Sequence, residues 1–291
     1  MKKLYDYIEL RQKLNLFLQE DIGYGDITSN NLRYKDRDKV TSALVTYKSN
    51  ISGVLSGIEE ASLVFEICNC NIILYKKDGD KIIKNDVIMK ITGKVKYILK
   101  AERTALNILM RMSGISTITR TFVELAQKID KSVSVASTRK TVPGLRLLDK
   151  KAVVVGGGIS HRLRLDDMVL IKDNHLAVSN SISNTITIIR KKIGNSIKIE
   201  CEVTNEKDAI EAIEAGADIV MLDNFSHVNA KKTINKIKKL GLRDKVKIEI
   251  SGSITIQNFS NYVKCKPDII SIGYITHSSR SLDFSLKIPK N

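Results

Sequence analysis

The sequence predicts an α/β fold in which the strands of a parallel sheet alternate with helices. Beyond about residue 130, short runs of β-branched residues alternate with amphipathic stretches, and this alternation is typical of β/α units. The strand-like runs are 133–135, 168–171, 197–199, 219–222, 246–250 and 269–272. Between two of them, residues 205–215 predict a helix, because acidic residues stand in its first turn and Gly216 follows where a helix-ending glycine is expected.

Residues 1–102 predict a separate, mixed region that carries little visible chemistry. An amphipathic helix precedes a loop at residues 21–26, and the stretches 42–47 and 72–75 have the composition of strands. The aspartates and glycine at 78–80 are turn residues and predict a hairpin before the next strand-like run.

The pattern changes again between residues 102 and 129, where apolar residues stand three and four positions apart. This spacing predicts one or two helices. Ser113 and Gly114 predict a break between them, since glycine weakens a helix interior. The change near residue 102 is therefore a candidate domain boundary.

The composition is that of a folded protein from a reducing compartment. Of 291 residues, 43% are hydrophobic and 27% are charged, which excludes disordered and collagen-like chains. The four cysteines form no C-x-x-C pair, so neither a zinc site nor a disulfide framework is expected. No apolar stretch reaches the ~18 residues that cross a bilayer, and the N-terminus lacks a signal peptide's apolar core. We therefore expect no membrane association and a cytoplasmic location.

The net charge of +16 predicts anionic partners. Nucleic acid, anionic lipid and small phosphorylated or carboxylated substrates all satisfy this condition. A nucleic-acid-binding surface, however, gathers its basic residues on one helix or interleaves them with aromatic residues. Here the aromatic residues make up 5% of the chain, tryptophan is absent and the basic residues are scattered, so we expect no nucleic-acid partner.

Polar or small residues directly follow the strand-like runs. In a β/α barrel, the active site is built from the loops at the carboxyl ends of the strands. The residues in question are Ser137-Thr138-Arg139-Lys140, Lys172-Asp173-Asn174-His175, Glu202, Asp223-Asn224, Ser251-Gly252-Ser253 and Gly273. Any one of them is equally well explained as an ordinary strand end. Together they predict a site at one rim of the sheet.

The candidate site is rich in cations, namely Arg139, Lys140, His161, Arg162 and Lys172. Arginine binds carboxylates and phosphates through two parallel hydrogen bonds, and lysine acts as a point charge. A solvated basic face is the alternative, and it suits the lysines of an outer helix better than cations at strand ends. The cationic group therefore predicts a polyanionic ligand.

Two carboxylates, those of Glu202 and Asp223, follow neighbouring strands and are expected to lie side by side opposite the cations. Such a pair can hold Mg²⁺, bind ribose hydroxyls or stabilise positive charge in a transition state. A purely structural ion pair with Lys172 or Lys140 is the alternative.

A phosphate site is predicted where the last two strand-like runs end, at Ser251, Gly252, Ser253 and Gly273. Exposed backbone N–H groups and a following helix N-terminus bind phosphate at this location in many barrel enzymes. The glycines alone are a weak signal, so the prediction depends on their position at the strand ends.

Several longer motifs, spread over nearly the whole chain, point to one enzyme family. They are A-E-R-T-A-L-N at 101–107, S-T-R-K-T-V-P-G-L-R at 137–146, G-G-G-I-S-H-R at 156–162, L-I-K-D-N-H at 170–175, E-C-E-V at 200–203, M-L-D-N-F at 221–225 and T-H-S at 276–278. These motifs closely resemble those of the quinolinate phosphoribosyltransferases, a type II phosphoribosyltransferase family also called nicotinate-nucleotide pyrophosphorylases (carboxylating). The long R-K-T-x-P-G-L-R run is far more specific than any short glycine motif.

The resemblance implies both a reaction and an architecture. Quinolinate and phosphoribosyl pyrophosphate would give nicotinate mononucleotide, pyrophosphate and CO₂, with Mg²⁺ required, in de novo NAD synthesis. An N-terminal α/β sandwich domain at 1–102, joined by the tail 279–291, would accompany an incomplete β/α barrel of six to seven strands at 103–278. The assembly would be a homodimer or hexamer in which Arg103 enters the neighbouring subunit's site.

The resemblance also implies roles for individual residues. The quinolinate carboxylates would meet Arg103, Arg139, His161, Arg162 and Lys172. Lys140 would meet the diphosphate, and Glu202 and Asp223 would face the ribose and its Mg²⁺, which makes these three the expected catalytic residues. The 5′-phosphate would be held by Ser251, Gly252, Ser253 and Gly273. Thr138 and His277 complete the expected substrate-binding set.

Two positions depart from the family pattern. Arg164 stands where glycine is common, and it would add a cation beside the carboxylate pocket. Ser253 stands where glycine or asparagine is common, which puts the geometry of the phosphate loop in question.

A related protein encoded with molybdate-transport systems is the alternative within the superfamily. The stretches at residues 139–140 and 172–175 are intact here. They favour the quinolinate enzyme, because the molybdate-associated relative tends to lose them.

Overall fold

The computed structural model describes residues 6–179 and 181–289. The first five residues of the predicted N-terminal domain and the last two of the predicted tail lie outside these ranges. The described chain forms two compact units. One contains the residues up to Ile118, Leu147–Gly156 and the residues from Ser279 onward, and the other contains Thr119–Arg146 and Gly157–Ser278.

The first unit is built on an antiparallel sheet. Its elements are helix α1 (Tyr7–Ile22), α2 (Ile27–Asn30), α3 (Tyr34–Arg37), strand β1 (Val40–Tyr47), β2 (Gly53–Val54), α4 (Ile58–Ile67), β3 (Asn71–Leu74), β4 (Lys81–Ile82), β5 (Val87–Lys94), much of α5 (Val95–Ile129), α6 (Arg146–Val155) and, from the tail, β12 (Phe284–Lys287). The sheet order is β12-β1-β5-β3, and β2 pairs separately with β4.

The tail belongs to this sheet, because Phe284 pairs with Tyr47 across β12 and β1. The two aromatic rings lie 5.2 Å apart between centroids, and both side chains are buried. Leu14 and Leu18 of α1 are buried on the face of that helix that packs on α4. The residues that alternate along β1 supply the other part of the core, as expected for a sheet with one covered face.

The helical region predicted over residues 102–129 is one helix that is longer than predicted and unbroken. It begins at Val95 and continues without a break through Gly114 to Ile129. Gly114 does not end the helix: it allows the backbone of Arg280 to approach, since an added Cβ would clash with the Arg280 carbonyl oxygen. The break predicted there is wrong.

The division between units also differs from the predicted boundary. Residue 102 lies inside α5, and Ile98, Ala101 and Ala105 are buried on one face of that helix. The boundary found by contacts falls at Ile118, and Leu147–Gly156 groups with the first unit. A change of hydrophobic period shows where a helical pattern begins in the sequence. It does not show where one compact unit of the structure ends and the next begins.

The second unit contains a parallel sheet of six strands. The strands are β6 (Ser134–Ser137), β7 (Val169–Ile171), β8 (Ile199–Val203), β9 (Ile219–Asp223), β10 (Lys247–Ser251) and β11 (Ile269–Ile272), in the order β6-β11-β10-β9-β8-β7. The connecting helices are α7 (Asp173–Ser179), α8 (Ile182–Ile193), α9 (Glu206–Glu214), α10 (His227–Lys239), α11 (Phe259–Val263) and α12 (Tyr274–His277), with a 3-10 turn at Arg243–Lys245.

This sheet is an incomplete β/α barrel. Among the described residues, its end strands β6 and β7 do not pair with each other. A single parallel bridge joins Ala136 of β6 to Ile159, so the segment that leads to His161 runs along the open edge. Helix α9 begins at the predicted place, because the Asn205 side chain accepts a hydrogen bond from the Asp208 N–H.

One strand is shifted from its predicted position. The run at 197–199 becomes β8 at Ile199–Val203, so Glu202 lies within the end of the strand and does not follow it. Residue 200 is charged, yet the Glu200 side chain is fully buried within this strand. Among the described helices, none is both long enough and apolar enough to cross a membrane.

Candidate active site

A cavity of about 460 Å³ opens at the carboxyl ends of the strands in the second unit. The structure brings most of the predicted site residues of that unit together in its wall. They are Thr138, Arg139, Lys140, His161, Arg162, Lys172, Glu202, Asp223, Ser251, Gly252 and Ser253. Parallel strands bring their carboxyl ends to one rim, which explains how residues more than 100 positions apart share a single cavity.

Three predicted residues do not line this cavity. Gly273 and His277 lie beside it, since a Cβ placed on Gly273 would be 3.2 Å from both the His277 ring and Cδ of Lys140. Arg103 belongs to the first unit, on the exposed face of α5. Arg164 does not line the cavity either, and its N–H donates to the Asp167 carboxylate at 2.9 Å.

Two arginines form the cationic part of the wall. Arg162 is 6% exposed, and burial together with the nearby charge of Arg139 lowers the pKa of its guanidinium. Within residues 6–179 and 181–289, the buried Nε atoms of both arginines have no hydrogen-bond partner. Buried donors without partners are rare in native proteins. The pair is therefore suited to binding an anionic ligand.

The carboxylates of Glu202 and Asp223 stand at the ends of the adjacent strands β8 and β9. Glu202 accepts a hydrogen bond from Nζ of Lys172 at 2.7 Å, so the ion pair considered as an alternative does form with this residue. Asp223 accepts one from the Asn224 side-chain amide at 2.6 Å. Oxygen ligands of this kind suit Mg²⁺, and both side chains face the cavity, so the donor set fits that ion.

The loop after β10, where the phosphate site is predicted, lines the cavity and has an unusual backbone. Gly252 has φ +94°, and Ser253 has φ +50°, both in the left-handed region. Residues other than glycine, asparagine and aspartate rarely occupy this region, so the backbone at Ser253 is strained. Asn224 packs against the loop: an added Cβ on Gly252 would lie 2.7 Å from its backbone nitrogen.

His161 occupies the inner wall of the cavity, where its ring meets two buried carboxylates. Nε2 lies 3.0 Å from Oε2 of Glu249 and 3.2 Å from Oε2 of Glu200. Burial disfavours the charged ring, but the hydrogen bonds to Glu200 and Glu249 outweigh that effect and raise the pKa of His161 to about 10. Burial and the Glu249 charge in turn raise the pKa of Glu200. His161 is therefore a fixed cation at neutral pH.

This shift predicts a pH-dependent contribution to stability. The pKa of the ring is about 10 in the folded protein against an ordinary 6.5, so the folded state binds the proton more tightly. The stabilisation is fully present below 6.5 and is lost as pH rises through about 10. We expect the difference in unfolding free energy between the wild type and His161→Gln to narrow steadily over this range in urea titrations. A difference that stays constant contradicts the assignment.

Ser137 and Asn224, which were predicted at the rim without a role, also line the cavity. Sequence reasoning missed four cavity residues, namely Leu170, Met221, Glu249 and Ser271. A signal for three of them was present, because Met221, Glu249 and Ser271 each stand two positions before a predicted rim residue, and residues two apart face the same side of a strand. Glu200 stands in the same relation to Glu202.

A cavity at the carboxyl end of an incomplete β/α barrel, lined by two arginines, two carboxylates and the loop after β10, defines a barrel enzyme for small, highly anionic substrates. Two family models extend this classification. One, described as the C-terminal domain of quinolinate phosphoribosyl transferase, matches residues 115–287, and its N-terminal counterpart matches residues 26–113. The chain belongs to the quinolinate phosphoribosyltransferase family.

Individual relatives agree with the family models. A probable nicotinate-nucleotide pyrophosphorylase (carboxylating) of Archaeoglobus fulgidus is 43% identical over 265 residues, which cover 91% of this chain and 98% of the relative. Its Bacillus subtilis counterpart is 37% identical, covering 97% and 94%. The solved nicotinate-nucleotide pyrophosphorylase from Francisella tularensis has a TM-score of 0.89 at 33% identity, covering 99% of this chain and 100% of that one.

Proposed function

We propose that the protein is a quinolinate phosphoribosyltransferase that converts quinolinate and phosphoribosyl pyrophosphate to nicotinate mononucleotide, pyrophosphate and CO₂ in NAD biosynthesis. The observation that carries the proposal is the cavity at the strand ends, which the cations Arg139, Arg162, His161 and Lys172 line together with the turn at residues 251–253. Membership in the family supports the same reaction.

The cavity divides naturally between the two substrates. Quinolinate carries two carboxylates, and a set of fixed cations is needed to hold both in one orientation. Arg139, Arg162 and His161 provide it on the inner wall. The turn at Ser251, Gly252 and Ser253 presents backbone N–H groups to the 5′-phosphate. Lys140 stands at the exposed edge beside Gly273 and His277, where it would meet the diphosphate.

The ribosyl transfer requires charge stabilisation more than proton transfer. As the pyridine nitrogen attacks C1, the bond from C1 to the diphosphate breaks and the ribose becomes oxocarbenium-like. The carboxylates of Glu202 and Asp223 face this developing positive charge, and such preorganised charges are usually the largest catalytic contribution. Glu202 and Asp223 would also hold Mg²⁺, whose charge offsets that of the diphosphate leaving group.

Decarboxylation follows from the chemistry of the product. The substituted pyridine ring is cationic, so loss of CO₂ from its 2-carboxylate leaves a carbanion that the adjacent ring charge stabilises, and this carbon then takes up one proton. The protein's part is to orient the ring and to exclude water. The buried side chain of Arg162 and the buried glutamates that contact His161 would orient the ring and exclude water.

The protein would act in the cytoplasm as a homodimer or a hexamer, with Arg103 completing the neighbouring subunit's site. Arg103 is exposed on α5. An exposed arginine between buried residues of a long helix is available to a second copy of the chain. Mixing of two inactive variants tests this arrangement.

The direct test is to incubate purified protein with quinolinate, phosphoribosyl pyrophosphate and Mg²⁺ and to measure nicotinate mononucleotide and released CO₂ in equal amounts. Omission of Mg²⁺ is expected to stop both. Folded protein that yields neither product contradicts the proposal. Replacing quinolinate by nicotinate tests whether the second carboxylate is required, and we expect no product from it.

The turn at residues 251–253 gives a prediction for phosphoribosyl pyrophosphate. In Gly252→Ala, the added Cβ clashes with Asn224 and displaces the turn, so the KM for phosphoribosyl pyrophosphate should rise at least about tenfold, since positioned backbone donors are lost. Gly216→Ala is the matched control: Gly216 has the same φ of +94°, but nothing lies within 4 Å of its added Cβ. Equal KM values in the two variants contradict the assignment.

A further inference from the structure

One nitrogen of the His161 ring is held by two carboxylates that reach it from different strands. Glu200 lies on β8 and Glu249 lies on β10, with β9 between them in the sheet. Their Oε2 atoms are 3.2 Å and 3.0 Å from the same atom, Nε2. The three side chains therefore meet across the interior of the barrel.

Both glutamates are buried, and Glu249 also lines the cavity. Both are 0% exposed, whereas the His161 side chain is 10% exposed. A buried ionised carboxylate is strongly destabilising unless it is paired. Within the described residues, Oε1 of Glu249 and both carboxylate oxygens of Glu200 have no hydrogen-bond partner. Glu249 is therefore compensated by its hydrogen bond with His161, and Glu200 by its ion pair with His161 and the nearby charge of Arg162. A fold that bears this cost uses the carboxylates to fix the ring.

The backbone at His161 is held in an unfavourable conformation. Its φ is +52°, in the left-handed region that a non-glycine residue rarely adopts. Such strain persists only where surrounding contacts maintain it, and it concentrates at functional sites. The next residue is Arg162, a buried member of the cationic wall. Anchoring the His161 ring therefore also fixes the segment that carries Arg162.

The anchored ring keeps one nitrogen for another partner. Both carboxylates contact Nε2, and within residues 6–179 and 181–289 Nδ1 makes no hydrogen bond. His161 lines the cavity. An imidazolium whose Nε2–H is engaged from below presents Nδ1–H as a charged donor.

We infer that Glu200 and Glu249 are positioning residues that clamp Nε2 of His161, so that Nδ1 donates to a carboxylate of the aromatic dicarboxylic acid substrate. The inference rests on the proposed function for the identity of that substrate. The clamp itself is a property of the protein without substrate.

The kinetic test uses Glu249→Gln, which keeps the size of the side chain and removes its charge. We expect the KM for quinolinate to rise about tenfold, as the loss of a charge-assisted hydrogen bond does, while the KM for phosphoribosyl pyrophosphate stays within about twofold. Glu60→Gln is the matched control, because Glu60 is equally buried and paired with Lys151 in the other unit. Equal effects of the two variants on the quinolinate KM overturn the inference.

A double-variant cycle shows whether Glu249 acts through His161. If it does, Glu249→Gln combined with His161→Gln should lose no more affinity for quinolinate than His161→Gln alone. Two losses that multiply overturn the inference, because they give Glu249 an independent role.

A spectroscopic test in the absence of substrate separates this inference from the proposed function. The ring Nε2–H of His161, identified by its absence in His161→Gln, should exchange slowly with water in the wild type and in Glu60→Gln. It should exchange rapidly in Glu249→Gln. Rapid exchange in the wild type overturns the clamp whatever reaction the protein catalyses. A wild type that makes no nicotinate mononucleotide but shows the slow proton instead overturns the proposed function alone.

The same three side chains offer a histidine nitrogen and two carboxylate oxygens to a metal ion. A metal bound to Nε2 would replace the ring proton, so the two possibilities exclude each other. We therefore expect the purified wild type to contain no stoichiometric transition metal. The metal content of Glu249→Gln should be the same. Finding such a metal overturns the clamp.

Discussion

Arg139→Ala should lower turnover by at least about 10²-fold, the loss that commonly follows removal of one preorganised charge contact. The physical reason is the environment of the guanidinium. Its Nε is buried without a hydrogen-bond partner among the described residues, and it stands close enough to Arg162 to lower the pKa of that side chain. These two cations repel each other in the cavity wall, and a bound dianion would relieve that repulsion. The measurement is the rate of nicotinate mononucleotide formation at saturating quinolinate and phosphoribosyl pyrophosphate.

The control for this variant is Lys191→Ala, which removes a cation from the exposed end of α8 in the same unit. Its turnover should remain within about twofold of the wild type, because isolated surface charges contribute little. Near-normal turnover of Arg139→Ala refutes the role of Arg139. Arg139→Lys separates charge from geometry, since lysine keeps the charge but not the two parallel donors, and it should recover only part of the loss.

Much of the fold and the rim of the site could be predicted from the sequence, because both follow from local patterns. Runs of β-branched residues identified the strands, and the residues after them identified the rim. Asp223 and Ser251 each end a strand beside its neighbour, in matched register. Position along parallel strands thus translates directly into position in space.

The inner wall of the cavity could not be predicted in the same way. Glu200 and Glu249 are charged residues in strand interiors, and their burial depends on His161, which is distant in the sequence. The continuous course of α5 through Gly114 likewise depends on Arg280, which lies more than 150 residues further along the chain. Local patterns carry no information about such partners. Tertiary contacts therefore decide both cases.

Mixing two inactive variants should restore activity if subunits share their sites. Arg103→Ala and Arg139→Ala are each expected to be nearly inactive as homodimers. In a heterodimer of the two, the Arg103→Ala subunit keeps its own Arg139 and receives an intact Arg103 from its partner, so one site is complete. Heterodimers purified through two different affinity tags should therefore show about half the wild-type turnover per dimer, because one of two sites works.

The alternative arrangement gives the opposite result. If Arg103 serves the site of its own subunit, each site in the heterodimer lacks one arginine, and turnover remains as low as in the parents. A heterodimer of two Arg103→Ala chains carrying the same tags controls for effects of the tags, and it should stay inactive under either arrangement. Confirmed heterodimers without recovered turnover would thus remove Arg103 from the neighbouring site. Recovered turnover would instead place Arg103 in the neighbouring site. No chain in the mixture carries both arginines, so a complete site needs one arginine from each subunit.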